Sequence, residues 1–174
     1  IVSGIEIKAI QEKIGMDIPI IRAMPNTAAD LCESMTCLST VAGFEKELQT
    51  AKSLFDTIGK TLVIGEDQMA SATALGACGV AFFLRAIRAA SQGGIEIGFH
   101  SDEAFTIAAQ TARGAATLLL DNDSHPEAEI DQVTTPMGAT IAGLNEMEHQ
   151  GFSSAMIKGI TTSTEKVTRL FKKD

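Results

Sequence analysis

Apolar and polar positions alternate with two different periods along the chain, and the period changes near residue 66. In the first part, helical and extended patterns alternate. Ile5, Ile7, Ile10 and Ile14 recur at helical spacing, with Ser3 as a candidate cap and Gly15 as a stop. Ile1-Val2 reads as the tail of a strand, and Ile18–Met24 as a buried strand with Pro19 near its first residue. Met35–Val41 is β-prone. Glu45–Ile58 sets Leu48, Ala51, Leu54 and Phe55 against charged neighbours, which predicts an amphipathic helix ended by Gly59. Lys60–Gly65 predicts another strand. Strands alternating with helices indicate the later part of an α/β sheet.

From Glu66 onward the period is helical throughout. Val80, Phe83, Leu84 and Ile87 share a face of a helix over residues 79–92, which Gly93-Gly94 interrupts. Ser101 or Asp102 caps the next helix, which runs to about Leu120 and carries Ala108, Ala109, Ala112, Gly114, Ala115 and Ala116, small enough for close helix approach. A polar loop spans Asp121–Pro126, and a short helix follows it. A further helix ends at His149 and Gly151, and a last one starts at Ser153 and repeats Met156, Ile160, Val167 and Phe171. The pattern places an α/β piece at residues 1–66 and an all-α bundle at residues 67–174.

Composition narrows the class. Hydrophobic residues make up 45% of 174, there is no Trp or Tyr, and the formal net charge is -8. Mean hydropathy is +0.15, high for a soluble monomer. The apolar excess points to a subunit interface, and the acidic balance argues against nucleic acid or an anionic membrane as partner. No apolar run reaches the ~18 residues needed to cross a bilayer. Cys32, Cys37 and Cys78 suggest no disulfide framework, so a reducing cytoplasm is the simplest setting. The sequence starts Ile-Val-Ser-Gly, without a signal-peptide pattern or initiator Met, as though in the middle of a longer chain.

Candidate chemistry centres on residues 131–144. Thr134, Thr135 and Pro136 lead through Gly138-Ala139-Thr140 into a helix carrying Ile141, Leu144 and Met147. Free amides at a helix N-terminus favour an anion such as a carboxylate, and Thr140 adds a hydroxyl beside them. An ordinary helix start is the competing reading. Met24, Pro25, Asn26 and Thr27 follow a predicted strand, where α/β sheets place ligands, although Pro-Asn-Thr is also an everyday turn. No G-x-G-x-x-G is present, and Gly76-Ala77-Cys78-Gly79 reads as a helix junction with closely packed backbones. Cys78 reads better as a small buried hydrophobe than as a reactive thiol. His100, His125 and His149 read as surface or capping residues, and no metal cluster or paired-carboxylate site emerges.

Three segments in order resemble pyrroline-5-carboxylate reductase, an enzyme of proline biosynthesis. Ile21-Arg-Ala-Met-Pro-Asn-Thr-Ala28 is similar to the family's R-x-M-P-N-T-P loop, and Thr73-Ala-Leu-Gly-Ala-Cys-Gly-Val-Ala-Phe82 to its T-A-L-S-G-S-G-P-A-Y segment. His125-Pro126, residues 131–144 and Gly151-Phe152 resemble the D-x-V-x-S-P-G-G-x-T-I-x-G-L signature and the G-G-F beyond it. The resemblance implies the end of a Rossmann domain followed by a helical dimerisation domain. It implies NAD(P)H-dependent reduction of L-1-pyrroline-5-carboxylate to L-proline, with NADPH or NADH as cofactor. It also implies a homodimer through the helical domain, or a ring of such dimers.

By position, the resemblance puts the substrate carboxylate at the amides of Met137, Gly138 and Ala139, and Thr140 near the ring nitrogen as the catalytic hydroxyl. It makes Val133 a pocket wall and Thr135 a substrate-side hydroxyl, and it sets Asn26 and Thr27, with Met24 and Pro25, at the nicotinamide end of the cofactor. The family's pyrophosphate-binding fingerprint would lie upstream, so these residues alone are expected to dimerise without turnover. Gly76, Ala77, Cys78, Val80 and Phe82 depart from the family pattern, as does Met137, which stands where the family has glycine and pays for any positive φ there. Aspartate at 123 stands near a loop acid seen in the family. Two other classes stay open here. One is a helical dimerisation module without catalysis. The other is a β-hydroxyacid-dehydrogenase-like reductase, which would need a catalytic lysine; Lys158 is the only lysine between Lys60 and Lys166 and carries no matching motif.

Overall fold

A computed structural model describes residue 1, residues 4–15 and residues 18–171 of the chain. Ser3 and Val2, expected as cap and strand tail, lie outside the described residues. The chain divides into two compact units: Ile1–Ala81 with Lys158–Asp174, and Phe82–Ile157.

The first unit is built on a three-stranded sheet, β1 (Arg22–Met24), β2 (Ser34–Ser39) and β3 (Gly59–Val63), in the order β1-β2-β3. β2 pairs parallel with β3, from Ser34 opposite Gly59 to Leu38 opposite Val63, and antiparallel with β1, Arg22 opposite Ser39. The strand expected from Ile18 shortens to three residues. Pro19 cannot donate to a ladder, and the Ile20 carbonyl is taken instead by the Thr40 hydroxyl at 2.8 Å. β2 is covered on both faces, and two of its hydroxyls pair internally: Ser34 Oγ and Thr36 Oγ1 lie 3.2 Å apart, and Ser34 Oγ accepts the Asn26 N–H at 3.1 Å, while the buried Ser39 Oγ has no partner among the described residues.

α1 (Ile7–Ile14) ends at Gly15, whose φ of 67° is the left-handed cap that the sequence suggests. α2 (Glu45–Phe55) half-buries Leu48, Ala51 and Phe55 and runs through a 3-10 turn, Asp56–Ile58, to Gly59. Gly59 has φ 147°, and a Cβ there would sit 2.0 Å from the Ser34 carbonyl oxygen. The glycine is thus required by the close β2–β3 pairing as well as by the end of the helix.

Beyond a 3-10 turn at Glu66–Gln68 one helical stretch continues to Glu96: α3 (Met69–Ala72), a π-turn (Thr73–Cys78) and α4 (Gly79–Glu96). Met69, Thr73 and Ala74 are its buried residues on the sheet side. Two expectations are corrected here. The 76–79 glycine region lies within a continuous helix and is not a junction, and a Cβ on Gly76 would meet nothing within 4 Å. Gly93-Gly94 does not interrupt α4: a Cβ on Gly94 would come 2.9 Å from the Ala104 Cβ, so glycine is what lets α4 and α5 (Ser101–Asn122) approach. The stop comes at Gly98, with φ 108°. This continuity also joins apolar segments that read separately in the sequence. Glu66–Glu96 spans 31 residues and is, by length and composition, apolar enough to cross a membrane.

The second unit continues with α6 (Pro126–Val133), α7 (Ala139–His149) and the start of α8 (Phe152–Phe171). α5 is capped at His100 and not at Ser101 or Asp102, because Glu103 Oε2 reaches back to accept the His100 N–H at 3.1 Å. His125 Nδ1 likewise accepts the Glu127 N–H at 3.2 Å, which makes His125 the cap of α6. Asp123, with φ 49°, closes α5. The apolar stripe of α4 is not buried within the chain: Phe83 is 61% and Leu84 59% exposed.

Gly59→Ala is expected to cost at least about 2 kcal/mol through backbone overlap at Ser34 and strain at φ 147°. Urea unfolding reads this as a lowered midpoint, and an unchanged midpoint would contradict the described β2–β3 register.

Candidate functional site

Thr135-Pro136-Met137-Gly138 form a tight turn between α6 and α7. The Gly138 N–H donates to the Thr135 carbonyl at 2.9 Å, and Met137 has φ 59°. Proline at the second position and a positive φ at the third define a type II turn, whose third position calls for glycine. Methionine there costs about 1 kcal/mol of steric strain. Its side chain is fully exposed, so contacts within the chain do not offset that strain. Gly138 itself has an ordinary φ of -75°; a Cβ on it would fall 2.5 Å from Thr135 Oγ1 and 2.9 Å from the Thr135 carbonyl oxygen. Steric room, not left-handed freedom, is what the turn requires of Gly138.

Gly138 is the N-cap of α7, and the first intrahelical bond runs from the Ala142 N–H to the Gly138 carbonyl. The amides of Ala139, Thr140 and Ile141 therefore have no carbonyl one turn back to receive them. They form the positive end of the helix dipole, and Thr135 and Thr140, on either side of Gly138 in the chain, are both exposed. Val133, the last residue of α6, is 61% exposed. Thr134 is held inward, its hydroxyl donating to the Ile130 carbonyl at 2.9 Å. The turn thus brings Val133, Thr135, Met137, Gly138, Ala139 and Thr140 together over eight consecutive positions. This local arrangement can take an anion at amides and offer it hydroxyl groups.

The second group of expected residues sits after β1. The premise that it ends a parallel strand is corrected, since β1 runs antiparallel to its described neighbour β2. Met24 and Pro25 are half-buried, and Thr27 is exposed. Asn26 is tied down on three sides. Its Oδ1 accepts the Ala28 N–H at 3.0 Å, its Nδ2 donates to the Gly76 carbonyl at 3.0 Å, and its own N–H donates to Ser34 Oγ. The bond to Gly76 crosses 50 residues of sequence and joins the loop to the π-turn; periodicity carries no trace of it.

The clearest shifts in acidity belong to the layer around the sheet. Burial pushes the Cys37 thiol up. The Lys52 ammonium, at 2.6 Å, and the Thr61 hydroxyl hold the exposed Asp56 carboxyl below its usual range, and the Gly43 amide does the same for exposed Glu45. All three cysteines are free, Cys32 exposed, Cys37 buried and Cys78 half-buried.

Comparison with known proteins converges on one family. A family model described as pyrroline-5-carboxylate reductase dimerisation matches residues 66–170. Pyrroline-5-carboxylate reductase 1 of Dictyostelium discoideum is 56% identical over 98% of this chain and 33% of its own length. Pyrroline-5-carboxylate reductase 2 of the same organism is 52% identical over 97% of this chain and 62% of its own. The chain thus spans between a third and two thirds of these relatives. Among solved structures, a 1-pyrroline-5-carboxylate reductase from Streptococcus pyogenes superposes with a TM-score of 0.87 at 31% identity, covering 95% of this chain and 64% of that one. The Plasmodium falciparum pyrroline carboxylate reductase with NADP bound superposes with a TM-score of 0.89 over 98% of this chain and 69% of that one; at 22% identity it speaks for the fold alone. The match covers α3 to α8 and contains the whole Thr135–Thr140 turn, so the chain belongs to the pyrroline-5-carboxylate reductase family, whose dimerisation module it carries at residues 66–170.

Proposed function

We propose that these residues form the substrate-binding and dimerisation part of an enzyme that reduces L-1-pyrroline-5-carboxylate to L-proline. The observation that carries this reading is the turn Thr135–Gly138 feeding the α7 N-terminus, inside the family match. The substrate has one carboxylate and one ring nitrogen. The Gly138 N–H is held by the Thr135 carbonyl, so the free amides of Ala139, Thr140 and Ile141, and not those of Met137 and Gly138, suit the carboxylate, and the Thr140 hydroxyl, next to them, suits the nitrogen. A protonated ring nitrogen makes the C=N carbon a better acceptor, so a hydroxyl that orients and shares that proton is enough, and no strong base is needed. Catalysis by such a site comes mainly from holding two reactants in contact.

NAD(P)H, when bound, supplies the hydride. The loop Met24–Thr27 fits the nicotinamide end, because Thr27 is exposed while its neighbours are anchored. Nothing in the 174 residues matches the glycine-rich fingerprint that receives a pyrophosphate, so that half of the cofactor site belongs to a segment other than these. We read the exposed apolar faces of α4 and α5, including Phe83, Leu84, Phe105 and Leu118, as the surface that a second copy covers. We read the apolar character of Glu66–Glu96 as that of a dimer face.

The intact enzyme carrying these residues is expected to consume NAD(P)H only when pyrroline-5-carboxylate is supplied, and absence of proline formation would remove the reading. In that enzyme Thr140→Ala should lower kcat/KM by about ten- to a hundred-fold while leaving the oligomer unchanged; unaltered kinetics would take Thr140 out of the site. Met137→Gly should raise stability by about 1 kcal/mol, seen as a higher melting temperature, because it removes the strain at φ 59°. A lower melting temperature would show that the methionine side chain is buried in the assembled protein.

A further inference from the structure

We propose that Asn26 is a positioning residue: its carboxamide latches the Met24–Thr27 loop to the π-turn Thr73–Cys78 instead of contacting the cofactor itself. The proposal rests on the reductase reading for its consequence in turnover, but the latch itself stands on geometry. Oδ1 accepts from the Ala28 N–H and Nδ2 donates to the Gly76 carbonyl, both at 3.0 Å. Only a short planar group with an acceptor and a donor on one carbon can make both bonds from this position. Aspartate lacks the donor, serine and threonine lack the reach, and glutamine is one methylene longer.

Three further observations agree. The Asn26 N–H is fixed to Ser34 Oγ, itself paired with Thr36 Oγ1, and Ser34 and Thr36 are 1% and 0% exposed, so the near end of the latch is rigid. The far end is also held: Thr73 and Ala74, in the same π-turn, are buried, and Thr73 Oγ1 donates to the Met69 carbonyl at 2.8 Å. A single π-turn within an α-helix marks a place where the helix is locally widened for a specific contact. The contact here is to a backbone carbonyl, so it does not depend on which side chain stands at position 76. The departure from the family's Ser to Gly76 therefore leaves the latch intact. With Asn26 turned inward, exposed Thr27 is the hydroxyl that the loop presents outward.

Asn26→Asp and Asn26→Ser separate the two bonds, since each keeps an acceptor for the Ala28 N–H and removes the donor to Gly76. Hydrogen exchange on the full chain should show amides of residues 73–81 exchanging about ten-fold faster in both variants, with β2 unchanged. In the intact enzyme kcat should fall about ten-fold while KM for NAD(P)H stays within about two-fold. Unchanged exchange at 73–81 in both variants would overturn the latch. A raised KM for NAD(P)H with kcat retained would overturn the positioning role and make Asn26 a direct cofactor contact. If the parent enzyme does not reduce pyrroline-5-carboxylate, the proposed function fails, and the exchange measurement still decides the latch.

Discussion

The carboxylate of Glu66 holds three parts of the first unit at one point. Glu66 Oε1 accepts from the Arg22 guanidinium at 2.8 Å and from the Ile7 N–H at 3.0 Å. Ile7 is the first residue of α1, Arg22 the first of β1, and Glu66 the first of the helical stretch that reaches Glu96. The site is mostly dry, with Arg22 6% and Glu66 27% exposed, so removing the carboxylate would take a close, little-hydrated charge partner from the Arg22 guanidinium. The same carboxylate stands at the positive end of α1, whose own N-cap residue, Glu6, makes no side-chain cap. Because Glu66 fixes where the long helix begins against the sheet, it also fixes where the π-turn starts seven residues on, and with it the reach of Asn26 to Gly76.

From that anchor the helix carries its apolar surface outward. Phe83 and Leu84 on α4, and Phe105 and Leu118 on α5, are more than 45% exposed in the single chain. Leaving so much apolar area in water is unfavourable by roughly 25 cal/mol for each Å². Small residues line the same α5; Ala104 uses the close approach to Gly94, but a Cβ on Gly114 would meet nothing within 4 Å among the described residues. The exposed apolar faces and the dimerisation match at residues 66–170 support the proposal that a second copy supplies these contacts.

Local patterning was legible where a residue's own chemistry decides the outcome. Gly15 ends α1, α2 lies where its charges alternate although it stops at Phe55 and Gly59 closes only the 3-10 turn after it, and the conflict at Met137 is visible from a signature that places glycine there. What stayed hidden depends on partners far along the chain. The antiparallel direction of β1, the passage of α4 through Gly93-Gly94 against Ala104, and the Glu66 and Asn26 bridges involve pairs separated by ten to sixty residues. Side chains near helix ends misled in a consistent way. Ser101 and Asp102 were better cap types than His100, yet Glu103 completes the cap from within the helix. The Thr135–Thr140 stretch was found through its order of residues, but the reason that Gly138 must be glycine, the Thr135 oxygens beside it, emerges only from the folded turn.

The most direct test of this account is the mass of the chain in solution. Sedimentation equilibrium at micromolar concentration should return twice the 18.3 kDa of one chain if, as proposed, a second copy covers the α4 and α5 faces. A stable monomer of 18.3 kDa at the same concentration would contradict it.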